Sequence, residues 1–197
     1  MSNQQKSNAL SNWNRWGADD QLGAFNLLTP ERIKQAARLV KTGKTYSLSM
    51  PLEAEGPQWP TRHKTWRVTT FNNPPKGRGS ADDVITMHSH SGTHMDALCH
   101  IWYENQLYNG YNVGEHIHST GATRNAIHNV PHIVGRGVLL DVAGWKGVEH
   151  LQLGEAITAD DLDACAAAQG VTVQAGDLLL IRTGWIKMFT SNRPLYN

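Results

Sequence analysis

An α/β fold is predicted by three observations: an apolar run at Gly137-Val138-Leu139-Leu140-Asp141-Val142, a capped helical stretch from Thr158 to Gln169, and a second apolar run from Asp177 to Arg182. Runs of strand length on either side of a helix give the strand, helix, strand order of an α/β core. With 197 residues and 40% hydrophobic content the chain can bury one sizeable core, so a single domain over 1–197 is expected.

Residues 1–11 are polar and read as a tail. The first helix is expected from Pro30 to Lys41, with Thr29 as N-cap, Pro30 at the first helical position, Glu31 in the first turn and Gly43 past the end. Ile33, Ala36, Ala37 and Val40 recur at helical spacing and predict its buried stripe. Between Glu53 and Asp83 the chain turns to proline, glycine and charge, an excursion of the kind that is functional or mobile in a compact domain. Within it, Trp66-Arg67-Val68-Thr69-Thr70-Phe71 alternates as a short strand. Trp59, His63 and Trp66 either line a substrate pocket or cover a sheet or subunit interface. The Lys76-Gly77-Arg78 patch reads as a solvated loop. Val84-Ile85-Thr86-Met87 is rich in β-branched residues and reads as another strand. In the second half, Gly137–Val142 and Asp177–Arg182 are expected as buried strands. The Thr158–Gln169 helix carries a Thr158-x-x-Asp161 capping box and stops at Gly170.

The strand at Val84–Met87 delivers the chemistry. From His88 to His100 the chain reads H-S-H-S-G-T-H-M-D-A-L-C-H, four histidines and an aspartate in thirteen residues. His90, His94, Asp96 and His100 share one parity, so an extended segment would project them to one side, whereas a helix would swing Asp96 away from the two histidines. Ser91-Gly92-Thr93 allows a tight turn between the first two. Neutral imidazoles with a carboxylate suit zinc, manganese or iron, and three protein ligands leave positions open for water and substrate, the mark of a catalytic site. Cys99 has the opposite parity and points elsewhere. His100 is then spare as a general acid or base. The bland alternative is a histidine-rich surface loop.

The segment from His90 to His100 resembles the H-x-G-T-H-x-D-x-x-x-H signature of the cyclase family of metal-dependent hydrolases, the family of bacterial kynurenine formamidases and isatin hydrolases, with every fixed position present. Further segments are similar to that family: Asn12–Asp20, Leu22-Gly23, Asn26–Glu31, Tyr108-Asn109-Gly110, Gly135–Asp141 and Gly176–Trp185. The resemblance implies a swivelling β/β/α fold with a mixed sheet, His90, His94 and Asp96 as ligands of zinc or manganese, and His100 as the catalytic acid/base. It also allows Asp96 to bridge a second ion. The activity it implies is hydrolysis of a C–N bond in a small amide, aryl formamide or cyclic lactam. Leu98 stands where the formamidase branch usually carries proline, which argues against N-formylkynurenine as substrate. Family members continue past the Arg-Thr-Gly-Trp segment with a further histidine and glutamate near the metal, so a truncated, incomplete domain is expected here. The alternatives are a lactonase or cyclase acting on an ester or ring, and a non-catalytic metal-binding or assembly protein.

A net charge of +1 gives no electrostatic case for nucleic acid or anionic membrane as partners. Two distant cysteines, Cys99 and Cys165, do not form a disulfide framework. The N-terminus lacks the apolar core of a signal peptide, and no apolar run approaches the roughly 20 residues of a membrane span, so a cytoplasmic protein and a homo-oligomer, most simply a dimer, are expected. His116 and His118 form a second pair at strand spacing that could add a ligand. His128, His132 and His150 are isolated, and Arg182 either faces the site or closes the sheet, the structural role being the one favoured.

Overall fold

The computed structural model describes residues 11–196, so most of the expected tail lies outside the described residues. Along the chain the elements are a 3₁₀ turn Gly23–Leu27, α1 Pro30–Ala37, β1 Trp66–Asn72, β2 Ser80–Thr86, a 3₁₀ turn Tyr108–Gly110, α2 Val113–His116, β3 Ile117–His118, β4 Gly121–Ala122, a 3₁₀ turn Ile127–Asn129, β5 Gly137–Leu140, α3 Val142–Trp145, α4 Ala159–Ala168, β6 Leu178–Ile181, α5 Ile186–Ser191 and α6 Arg193–Tyr196. Helices and strands are mixed along the chain, consistent with an α/β class. Among the described residues the strands form three two-stranded sheets, β1 with β2 and β3 with β4 antiparallel, β5 with β6 parallel. The chain divides into two compact units, one from the N-terminus to Gly43 plus Asp96–Gly184, the other Lys44–Met95 plus the chain from Trp185. No helix among the described residues is long and apolar enough to cross a membrane.

The first unit holds the buried core. A parallel pair cannot be joined by a tight turn, and here α4 supplies the connection. Val138 and Leu140 alternate inward from β5 and meet Val142, Ala143, Leu151, Cys165 and Ala166. Burial pushes the Cys165 thiol pKa up, which keeps it an inert core side chain. Thr158 caps α4 by accepting from the Asp161 N–H while the Asp161 carboxylate accepts from the Thr158 N–H, the expected capping box, and Gly170 beyond the end is left-handed at φ +66°. At the other end of α4, the Gln169 amide donates to the Leu139 carbonyl and accepts from the Asp141 N–H, both at 2.8 Å, which binds the helix terminus to β5. Asp141 caps α3 through the Gly144 N–H and accepts from Arg182 at 2.5 Å, so Arg182 has the structural role expected of it.

Gly184 must be glycine. Its φ is +71°, and a Cβ there would lie 2.1 Å from the Glu149 carbonyl oxygen. In the same unit Asn109, itself left-handed at φ 67°, donates from its amide to the Gly17 and Ala18 carbonyls at 2.9 Å and accepts from the Asn14 N–H at 2.7 Å. Tyr108 donates to Asp20 at 2.8 Å, and burial together with that carboxylate pushes its pKa up to about 12. The Tyr108-Asn109 pair thus fastens the N-terminal segment.

Three expectations are corrected. The first helix ends at Ala37 rather than Lys41, and no residue in it is buried; Val40 is 69% exposed. Its Thr29 cap and Pro30 start are as predicted. The apolar run at 178–181 forms its strand, but Leu179, Leu180 and Ile181 are each more than one-third exposed, because the core packs onto only part of a two-stranded sheet. β5 likewise buries one face only, with Leu139 outward.

In the second unit, β1 and β2 pair from Trp66↔Thr86 to Asn72↔Ser80, a ribbon whose residues are exposed on both faces. The Lys76-Gly77-Arg78 stretch is its connecting loop, as expected.

Candidate metal centre

β2 ends at Thr86, and the chain then bends from Ser89 to Thr93. Four residues of that bend, His90 to Thr93, are tethered. The Gly92 N–H, at φ +59°, donates to the Pro57 carbonyl at 2.8 Å, and Thr93 accepts from the Met50 N–H at 3.0 Å. Ser91, almost fully buried, donates to Gln58 at 3.3 Å. The Arg62 guanidinium donates to the His90 carbonyl. Ser91-Gly92-Thr93 is therefore a fixed turn, as its composition predicts, held against the 48–62 segment. Past an extended run the chain turns again: the His100 N–H donates to the Ala97 carbonyl at 2.9 Å and the Cys99 N–H to the Asn125 carbonyl at 3.2 Å.

Along this stretch His90, Asp96 and His100 are three of the candidate donors, the first in the second unit and the other two in the first. His90 and His100 are half-buried and Asp96 is exposed. Two imidazoles and a carboxylate are a donor set that fits a divalent zinc or manganese ion. His94 stands beside His90, its ring edge-on at 5.1 Å and its Nδ1 3.1 Å from the Gly92 carbonyl oxygen. His88 lies outside the group and stacks on His63 at 6.1 Å. Burial pushes the Cys99 thiol pKa up, so it is not a ready thiolate ligand.

A cavity of about 440 Å³ opens on His90 and His94, with Trp59, Arg62, Trp185 and Tyr196 among its walls. Trp59 is thus a pocket residue, whereas Trp66 lies on the exposed ribbon and His63 on His88. Arg62, Trp185 and Tyr196 carry no sequence signal that links them to the metal-like motif. His116 and His118 lie outside the metal-like group: His116 ends α2, with its Nδ1 3.0 Å from the Thr123 hydroxyl, and His118 belongs to β3.

Comparison with known proteins finds a family profile and similar solved structures. The Cyclase family profile matches residues 46–197. A crystal structure of a novel cyclase superposes with a TM-score of 0.88 at 39% identity, over 95% of this chain and 68% of that one. Among curated proteins, none matches.

Proposed function

The chain belongs to the cyclase family, and from that premise we propose that it is a metal-dependent hydrolase that cleaves the C–N bond of a small amide, an aryl formamide or a cyclic lactam, on the swivelling β/β/α fold. The observation that carries this reading is the complete H-x-G-T-H-x-D-x-x-x-H segment, whose first two histidines, His90 and His94, stand 5.1 Å apart on the wall of one cavity. His90, His94 and Asp96 hold the ion, zinc or manganese. A divalent ion there supplies Lewis acidity, enough to polarise a carbonyl oxygen and to bring the pKa of a water to about 7. His100 accepts the proton of the attacking water and returns one to the departing nitrogen, a role that contributes about 10²–10⁴-fold in such reactions. Trp59 and Trp185 give the substrate ring flat apolar walls. The tethers on Ser91, Gly92 and Thr93 fix the His90 and His94 backbone before substrate arrives, so little reorganisation is left for the reaction.

The test is elemental analysis of the purified protein, paired with hydrolysis assays on aryl formamides, isatin and simple lactones with and without chelator. Stoichiometric zinc or manganese and chelator-sensitive amide cleavage are expected. Turnover of lactones alone would move the chemistry to esters, and absence of metal after loading would end the hydrolase reading.

A further inference from the structure

The cavity beside His90 has an unbalanced charge. Among the described residues its lining includes the Arg62 guanidinium and no aspartate or glutamate. Glu55, the carboxylate that shares the adjoining cavity with Arg62, is already engaged by Lys64 and lies 3.9 Å from Arg193. Arg62 itself is half-buried and spends a donor on the His90 carbonyl. A guanidinium has five N–H donors in a planar fork that matches a carboxylate at two points, so one bond to a carbonyl leaves most of that capacity unused. A partly desolvated cation without a carboxylate beside it in the cavity favours a ligand that brings one. The remaining walls, Trp59 and the Trp185–Tyr196 pair stacked at 6.4 Å, suit a flat ring.

We infer that Arg62 is a specificity-determining residue that receives the carboxylate of an aromatic acid in this cavity while its bond to the His90 carbonyl holds that carboxylate beside His90 and His94. The inference rests on the hydrolase reading for its chemistry, but the cavity and its charge stand without it. Among C–N substrates it selects aryl amides that carry a carboxylate over neutral ones. Neutral lactams lacking an acid group become the poorer class.

Binding and turnover test it separately. Benzoate and its neutral isostere benzamide are titrated into the metal-loaded protein and followed by tryptophan fluorescence. Benzoate is expected to bind about 10- to 100-fold more tightly, the range for hydrogen bonds to a charged group. Arg62→Gln removes that preference, and Arg62→Lys, which keeps the charge and loses the fork, retains part of it. In turnover, the kcat/KM ratio of 2-formamidobenzoate to formanilide falls toward one in Arg62→Gln. Equal binding of benzoate and benzamide to the unaltered protein, or an unchanged preference in both variants, overturns the inference. If neither amide is cleaved, the hydrolase reading falls while the benzoate preference still decides the role of Arg62. Should Arg62→Gln fail to fold, the Arg62→Lys titration carries the same decision.

Discussion

His94 and His100 occupy different roles in two readings of one segment. Family likeness makes His94 a metal ligand and His100 a proton carrier, whereas an imidazole is chemically able to serve as either. The two assignments separate on metal content. His94→Ala is expected to lose the ion, while His100→Ala keeps it and loses about 10²–10⁴-fold in turnover. Elemental analysis of both variants beside the parent checks this, and retention by His94→Ala with loss by His100→Ala would exchange the roles. The parity of His90, His94, Asp96 and His100 made the donor set legible in the sequence, but parity assumes an extended chain. The left-handed Gly92 bends the chain between the first two histidines, and a second turn follows at Ala97–His100, so the stretch is not extended throughout. Spacing named the candidate donors and left open which three would hold an ion. Arg62 was illegible for another reason: it lies 28 residues from the carbonyl it holds, and nothing in a single sequence marks a contact of that range.

Elements with strong local signals were legible. The α4 cap and stop, the Thr29-Pro30 start of α1 and the strands β1, β5 and β6 follow from short-range chemistry already present in the residues. Their burial did not follow, because apolar composition cannot say how many layers will cover a strand. Leu180 in β6 belongs to an apolar run and is 43% exposed all the same. The stability of the β5–β6 pair instead depends on a polar link at its start. Arg136 binds both Asp177 carboxylate oxygens, at 3.0 and 2.9 Å, and the Gln174 N–H donates to the same group at 2.7 Å. Burial alone would raise the Asp177 pKa, but these donors outweigh it and hold the carboxyl below its ordinary value. A depressed native pKa contributes stability that is present above the unfolded value, about 3.9, and is lost as pH falls through the lower folded value. Asp177→Asn is therefore expected to lower Tm at pH 7 and to flatten the acid limb of the Tm against pH curve. An unchanged acid limb would assign the acid sensitivity to other carboxylates.

At the scale of the whole molecule the exposed apolar surface is the leading feature. On the β1–β2 ribbon Phe71 is 78% and Trp66 55% exposed, and surfaces of this kind promote association. Self-association is expected: the mass from light scattering should exceed 21.8 kDa and rise with protein concentration. A constant monomer mass across the concentration series would mean that water covers the ribbon. The Asn109 clamp acts on a different axis, that of time. Its side chain holds Asn14 across 95 residues of sequence, so during synthesis the N-terminal segment leaves the ribosome long before its receptor exists. At about 5–20 residues per second the wait is on the order of 5–20 s. For that interval the Asn14 N–H has no Asn109 side chain to donate to, so this segment is fastened only after residue 109 has been made.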